Sequence, residues 1–145
     1  MLVIMHSMRK LRPELLAQIY GYSLQEEMEF EDYLRQVFFR TEGAVYCAWE
    51  QNGRYVSALR LEPYEDGMIL AGLETAPDAR GRGYATALIR GVMERLVNGR
   101  VYAHIHHGNT ASIKVHQRCG FRKIADHARF LDGSVSTAAG TFLCE

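Results

Sequence analysis

The segment Arg80–Ala85 reads Arg-Gly-Arg-Gly-Tyr-Ala and has the residue types and spacing of an anion-binding loop. Its two glycines, Gly81 and Gly83, let the backbone approach a ligand without interference from a Cβ atom. Free amide N–H groups at the start of the following helix, with the positive end of its dipole, favour an anion. Arg80 and Arg82 add positive charge where phosphate oxygens would lie. The segment predicts a pyrophosphate-binding loop, although a helix start with two solvated arginines would give the same pattern.

This loop joins a predicted strand, Met68–Ala76, to the clearest helix of the chain, Tyr84–Val97. The apolar residues of the helix recur at i, i+3, i+4, i+7, i+8 and i+11, which makes one continuous stripe: Ala85, Leu88, Ile89, Val92, Met93 and Leu96. Asn98-Gly99 ends the helix, and the alternating segment Val101–His106 follows as a strand. A strand-helix-strand unit therefore positions the loop at the centre of the fold.

Further elements are predicted on both sides of this unit. Before it come a strand, two helices and a pair of strands joined by a hairpin at Asn52-Gly53: Leu2–Met5, Pro13–Tyr20, Glu27–Phe39, Ala44–Glu50 and Tyr55–Leu61. After it come a short helix capped by Asn109 and a closing hairpin around Asp132-Gly133: Thr110–Arg118, Phe121–Phe130 and Thr141–Leu143. This order predicts an α/β fold whose mixed sheet has helices on both faces.

Composition limits the classes of protein that fit. The 145 residues suit one domain, 1–145, with 48% hydrophobic and 23% charged residues. A net charge of zero gives no bulk attraction to nucleic acid or to an anionic membrane, and no apolar run reaches the ~20 residues of a membrane span. Three widely spaced cysteines indicate neither a metal site nor a disulfide framework. A reducing, cytoplasmic location is the expectation.

A second segment, Asn109–Phe121, completes a pattern that the glycine loop begins. In it an Asn opens a short helix that ends in Gly-Phe, and 23 residues separate Asn109 from Ala85. The two segments, in this order, resemble the acyl-CoA signature and the later conserved block of the GNAT N-acetyltransferase superfamily. The Asn-x-x-Ser and His-x-x-x-Gly-Phe details resemble its branch that acetylates small amines and amino acid analogues.

The resemblance implies a fold and a donor. The fold would be a mixed, mostly antiparallel sheet of about six to seven strands, splayed into a V and flanked by about four helices. Acetyl-CoA would enter the gap as acyl donor, with its pyrophosphate on the amides of Arg80, Gly81, Arg82, Gly83, Tyr84, Ala85 and Thr86. The strand at Leu73 and Thr75 would pair with the pantetheine arm and polarise the thioester carbonyl through an amide. Asn109 and Ser112 would contact that arm, besides their default roles in the first turn of a helix.

Two residues are candidates for proton transfer. His116 shares a helix face with Asn109 and Ser112 and is the candidate general acid. The family usually has a tyrosine at this position, so His116 could instead hydrogen-bond the sulfur or pack beneath the donor. Glu74 is the candidate base, and it could equally bind the acceptor ammonium or be a solvated residue at the strand edge.

The resemblance implies that the region of the first two helices, which is rich in acidic and aromatic residues, forms one wall of the acceptor pocket. Tyr22, Glu26 and Glu27 belong to a cluster that would favour a cationic amine, although such a run is also typical of a solvated helix face. His106 is expected near the acceptor. The run His104–His107 invites a metal interpretation, but no carboxylate or cysteine nearby completes a site, and no metal is expected.

The leading hypothesis is therefore an N-acetyltransferase that moves an acetyl group from acetyl-CoA to a small primary amine. A protein acetyltransferase acting on lysine or an N-terminus, and a non-catalytic acyl-CoA sensor, remain open alternatives. A dinucleotide-binding enzyme is disfavoured because Thr86 stands where G-x-G-x-x-G needs its last glycine. Homodimer formation is left open, because no self-complementary stripe is visible beyond the predicted core.

Overall fold

A computed structural model describes all residues 1–145. Its four helices are α1 Pro13–Tyr20, α2 Leu24–Gln36, α3 Tyr84–Leu96 and α4 Thr110–Arg118. Its nine strands are β1 Leu2–Met5, β2 Val45–Gln51, β3 Arg54–Tyr64, β4 Gly67–Thr75, β5 Val101–His106, β6 Arg122–Ala125, β7 Ala128–Arg129, β8 Val135–Ser136 and β9 Ala139–Cys144. Seven of them form one sheet in the order β1-β2-β3-β4-β5-β9-β6. All neighbouring pairs in this sheet are antiparallel except β4 and β5.

Helices cover both faces of this sheet, as predicted. On one face, the apolar stripe of α3 packs on alternate residues of the central strands, and Leu88, Ile89 and Val92 are fully buried there. On the other face, α1 and α2 cover a second core that includes Leu16, Leu34 and the fully buried ring of Tyr46. Two apolar clusters on opposite faces hold the central strands rigidly in place.

The parallel pair β4 and β5 separates soon after it forms. Met68 pairs with Val101 and Ile69 with Tyr102, and the two strands make no further pairs. Since β4 continues to Thr75 and β5 to His106, their carboxyl-terminal halves diverge. The divergence leaves the edge of β4 beyond Ile69 facing a gap rather than a neighbouring strand. This is the V-shaped splay that the resemblance implied, and the mixed, mostly antiparallel fold class is confirmed.

Helix α2 differs from its prediction at both ends. It begins at Leu24 because Ser23 and Glu26 form a capping box, in which each side chain binds the backbone N–H of the other. It ends at Gln36, and a short 3₁₀ turn then spans Phe38–Arg40. Val37, inside the predicted helix, is 54% exposed because the chain leaves helical geometry there.

The predicted closing hairpin is also wrong in part. Instead of one long strand from Phe121 to Phe130, β6 pairs with β9 inside the main sheet, and β7 and β8 form a separate small hairpin around Asp132-Gly133. The chain leaves the ladder because the carbonyl groups of Asp126 and His127 bond to side chains instead. His107 Nε2 lies 3.1 Å from the first carbonyl oxygen, and Thr141 donates to the second at 2.7 Å.

Candidate functional site

A cleft of about 590 Å³ lies at the carboxyl end of β4, between the start of α3 and the face of α4. This volume is in the range of small-molecule sites. The structure brings all but one of the predicted donor-binding residues together around it: Leu73, Thr75, Arg80, Gly81, Gly83, Tyr84, Ala85, Thr86, Asn109 and Ser112. The candidate base Glu74 lines the same cleft. Arg82, which is exposed, is the predicted residue that does not line this cleft.

The glycine loop has the conformation that only glycine adopts readily. Gly81 and Gly83 have φ angles of 76° and 83°, and no heavy atom lies within 4 Å of the place a Cβ would occupy on either. Gly83 is also the N-cap of α3 and supplies no side-chain acceptor to the first amides of that helix. The loop thus offers open space beside unsatisfied N–H groups, which fits a phosphate group.

Ion pairs hold the start of the loop. Arg54 binds Asp78 through two 2.8 Å hydrogen bonds, which fixes the turn ahead of the loop. Arg80 donates to the carbonyl oxygen of Thr75 at 3.2 Å and to the carboxylate of Glu74 at 3.0 Å. Because these contacts run back to β3 and β4, the loop keeps a fixed position relative to the edge of β4.

A β-bulge shapes β4 where it faces the gap. Ala58 pairs with Glu74 and Arg60 with Ala71, so β4 carries one extra residue between these pairs. Gly72 lies in the bulge with a φ of 64°. A second cavity of about 210 Å³ lies in the gap itself, between Gly72 and Leu73 on one side and His104 and His106 on the other.

His116 closes the inner end of this second cavity. The side chain is 2% exposed, and its ring packs edge-on against Phe121 at 5.1 Å. Nδ1 lies 2.7 Å from the carbonyl oxygen of Ser112, an acceptor, so Nδ1 carries a proton and donates it. Nε2 is buried without a hydrogen-bond partner. Burial lowers the pKa of His116, against a smaller opposing effect of the Ser112 hydrogen bond, so the ring is neutral at pH 7 with a free lone pair on Nε2.

A group of tyrosines lies on the face of the sheet that α1 and α2 cover. The hydroxyl groups of Tyr20 and Tyr46 hydrogen-bond to each other, and Tyr20, Tyr22 and Phe30 stack within 6 Å. Burial raises the pKa of Tyr20 to about 12, with further effects from the hydrogen bond to Tyr46, the positive charge of Arg60 and the negative charge of Glu74. Tyr22 is thus part of an aromatic group between the end of α1 and the start of α2.

The predicted acidic residues of this wall lie outside both cavities. Glu26 is exposed and occupied by the capping box, and the hydrogen bond from the backbone of Ser23 lowers its pKa. Glu27 is half-buried on α2. His106 lines the second cavity, but its Nδ1 accepts a hydrogen bond from the N–H of Gly108. No group of three histidine, cysteine or acidic side chains is arranged to hold a metal ion.

Several residues at the site were not predicted. Ala111, Val115 and Arg118 line the first cleft from α4, at the i, i+4 and i+7 spacing that defines one helix face. This spacing was available in the sequence. Arg60 comes from β3, and no local pattern pointed to it. Tyr20 belongs to the same acidic and aromatic cluster near the first two helices as Tyr22.

The comparisons with known proteins agree with this geometry. The sequence matches the acetyltransferase (GNAT) family over residues 8–121. No curated protein matches the chain significantly in sequence. None of the four helices is both long and apolar enough to cross a membrane.

Solved structures share the fold along the whole chain. A ribosomal-protein-S18-alanine N-acetyltransferase from Escherichia coli is 18% identical with a TM-score of 0.67, covering 99% of this chain and 93% of its own. A spermidine N-acetyltransferase chimera from Vibrio cholerae is 14% identical with a TM-score of 0.65, over 99% and 94% of the two chains. An N-acetyltransferase from Thermoplasma acidophilum, solved with coenzyme A, is 11% identical with a TM-score of 0.65, over 100% and 99%. At these identities the likeness establishes the fold alone, whereas the family match spans most of the chain. The chain therefore belongs to the acetyltransferase (GNAT) family, whose members are acyltransferases that use acetyl-CoA as the donor.

Proposed function

We propose that this protein transfers the acetyl group of acetyl-CoA to the primary amine of a small molecule, within a complex that holds both substrates. The observation that carries the proposal is the glycine loop at the mouth of the gap between β4 and β5. Open space, unsatisfied amides and a free strand edge lie in one continuous path there. Coenzyme A has chemical groups to match each of them, namely a pyrophosphate and an amide-containing arm.

Donor binding would use three parts of the site. The amides of Gly81, Gly83 and the first turn of α3 would bind the pyrophosphate. The edge of β4 beyond Ile69 would pair with the amides of the pantetheine arm, and the Leu73 amide would donate to the thioester oxygen. Asn109 caps α4 by accepting from the Ser112 N–H at 3.1 Å, so the Asn109 NH₂ group remains free to bind the arm.

The acceptor must lose a proton before it attacks. We assign this proton to Glu74, directly or through water, because its carboxylate lies at the cleft and makes one 3.0 Å contact with Arg80. The neutral amine then attacks the thioester carbon, and a C–N bond forms while the oxygen becomes negative. The carbonyl re-forms as the C–S bond breaks, which releases the acetylated amine and a thiolate.

His116 would serve the second half of this reaction. The attacking nitrogen carries one proton too many once the C–N bond has formed. The free lone pair of His116 Nε2 can accept that proton and return it to the departing thiolate. A histidine with a lowered pKa cannot begin as an acid, so it must gain its proton within the reaction. In total one proton goes to solvent and one to the coenzyme A sulfur.

Two of the proteins with the same fold are named as acetyltransferases of a ribosomal-protein alanine and of spermidine. The aromatic group at Tyr22 and the small second cavity favour a small molecule. A protein substrate is the alternative that acceptor screening must test.

Calorimetric titration with acetyl-CoA, with NAD and ATP as controls, tests the proposal. We expect micromolar binding of acetyl-CoA alone, followed by thiol release when the complex meets an accepted amine. Failure to bind acetyl-CoA would overturn the donor assignment. Tight binding without thiol release from any small amine or lysine peptide would indicate an acyl-CoA sensor instead.

A further inference from the structure

Arg60 is the one cation of the molecule that is half-buried and unpaired. Only two arginines are not exposed, Arg54 and Arg60, and Arg54 is bound twice to Asp78. Arg60 forms no ion pair, and its Nε atom is buried without an acceptor. Burying the Nε–H group without an acceptor is unfavourable. The guanidinium is therefore free to bind an anion.

Arg60 lies against the segment of β4 that lines the gap. Its guanidinium lies over Gly72, where an added Cβ would be 3.0 Å from Cζ and Nη1. Gly72 and its neighbour Leu73 line the gap in which the thioester would lie. The lack of a side chain at Gly72, in the bulge of β4, is what allows the guanidinium to lie so close to the strand.

A negative charge lies on the same face of β4. Arg60 pairs in the ladder with Ala71, and Glu74 with Ala58, on either side of the bulge. Both side chains lie on the face that α1 and α2 cover, because Glu74 pairs with Ala58 of that core and Arg60 follows Ala58 by two residues on β3. Arg60 and Glu74 do not form an ion pair with each other, because the carboxylate of Glu74 is paired with Arg80. The strands thus present a carboxylate and an unpaired guanidinium on one face, on either side of the bulge.

The geometry points to an acceptor that carries a carboxylate close to its amine, as an amino acid does. This inference rests on the proposed acetyl transfer and names its substrate class. The carboxylate of the acceptor would bind Arg60, the guanidinium of which can hold it with two parallel hydrogen bonds. The ammonium group would face Glu74, beside the thioester. A polyamine would bring only positive charge towards Arg60 and is disfavoured.

Matched acceptors test the inference. Each set of acceptors compares an amino acid, which has a carboxylate, with its amide and with the amine that lacks the group. One set is L-phenylalanine, L-phenylalaninamide and phenethylamine. The other, for a small side chain, is alanine, alaninamide and ethylamine. We expect kcat/KM for thiol release to be about 10- to 100-fold higher for the better amino acid than for its amide or amine, as for a charge-assisted hydrogen bond. Binding of the same compounds to the coenzyme A complex, measured by calorimetry, should follow the same order.

Substitution of Arg60 separates recognition from folding. Arg60→Gln should remove the preference for an amino acid over its amide. It should lower kcat/KM about 10- to 100-fold for the amino acid and should change kcat/KM for the amide much less. Arg60→Lys should restore part of the difference. Arg95→Gln, which changes an exposed arginine of α3, is the control and should leave the preference as in the wild type.

The outcomes distinguish this inference from the proposed function. Equal rates for amino acids and their amides, or a preference that survives Arg60→Gln, would overturn the inference and leave acetyl transfer intact. Binding of acetyl-CoA with no binding or acetylation of any amino acid would also overturn it. Failure to bind acetyl-CoA at all would instead overturn the proposed function.

Discussion

At the scale of single residues, the resemblance places His116 where the family usually has a tyrosine. A tyrosine at this position would start protonated and could donate at once to a thiolate. His116 starts neutral, because burial lowers its pKa and the carbonyl oxygen of Ser112 fixes the Nδ1 tautomer. A coenzyme A thiolate resembles a cysteine thiolate, of pKa ~8.5, and leaves with little help. A histidine that collects a proton from the attacking nitrogen is therefore sufficient for the chemistry.

His116→Phe should lower kcat by about 10²-fold or more, since a phenyl ring fills the space but cannot move a proton. In the wild-type enzyme, the rate should fall on the acidic side only below pH ~6.5, because the pKa of His116 lies below the ordinary value of a histidine. Steady-state thiol release from pH 5 to 9 measures both effects. His127→Phe, at an exposed histidine, is the control. A wild-type rate and pH profile in His116→Phe would leave His116 with a packing role.

At the scale of elements, the loop before α3 tests whether a helix start binds the donor. Gly83→Ala places a methyl group into the open space at a φ of 83°. A left-handed alanine costs about 1–2 kcal/mol in stability. Gly133, with a φ of 88° and equally open space, lies in the β7–β8 hairpin and is the matched control. Both variants should lose similar stability in urea, but Gly83→Ala alone should weaken acetyl-CoA binding, by about tenfold or more.

The opposite result would be clear. If Gly83→Ala binds acetyl-CoA as tightly as Gly133→Ala does, the loop does not hold the pyrophosphate. Larger β-branched substitutions are poor tests, because their strain at a positive φ would confuse unfolding with loss of binding.

Local patterns explain which elements could be predicted from the sequence. The stripe of α3 and the Asn109 cap of α4 are determined by residues within a few positions, and both were predicted closely. The start of α2 is also encoded locally, because Ser23-Leu24-Gln25-Glu26 is a capping-box pattern. The predicted start at Glu27 did not take this pattern into account. The break after β6 depends on contacts with Thr141 and His107, which no local pattern reveals.

At the scale of the whole molecule, the site forms where separate elements converge. The glycine loop and α4 belong to one half of the chain, and Arg60 and the tyrosines belong to the other. The sequence predicted the first group through spacing. It also pointed to the tyrosines, through the aromatic cluster near the first two helices. It could not predict Arg60, because Arg60 reaches Gly72 only through the register of β3 on β4 and the bulge between them. Burial that leaves Nε of Arg60 without an acceptor is likewise a property of the folded state alone.

Folding also buries two histidines in their neutral form. Their burial predicts how the free energy of unfolding depends on pH. Burial lowers the pKa of His116 and of His104, whereas in the unfolded chain each titrates near pH 6.5. The unfolded state therefore binds more protons below this pH, and the free energy of unfolding should be highest above pH ~6.5 and fall as the pH drops towards the lowered values. Carboxylates with lowered pKa, such as Asp66 and Asp78, add their own loss only near pH 4 and below.

Urea denaturation between pH 7.5 and 5 isolates the histidine contribution, because the carboxylates stay ionised over most of that window. The decline in unfolding free energy should become shallower in His116→Gln and in His104→Gln, whatever each variant loses at pH 7.5, and should be unchanged in the exposed control His127→Gln. A free energy of unfolding that stays constant from pH 7.5 to 5 in the wild type would contradict the neutral assignment of both rings. It would also remove the reason to regard His116 as a residue that must gain its proton during the reaction.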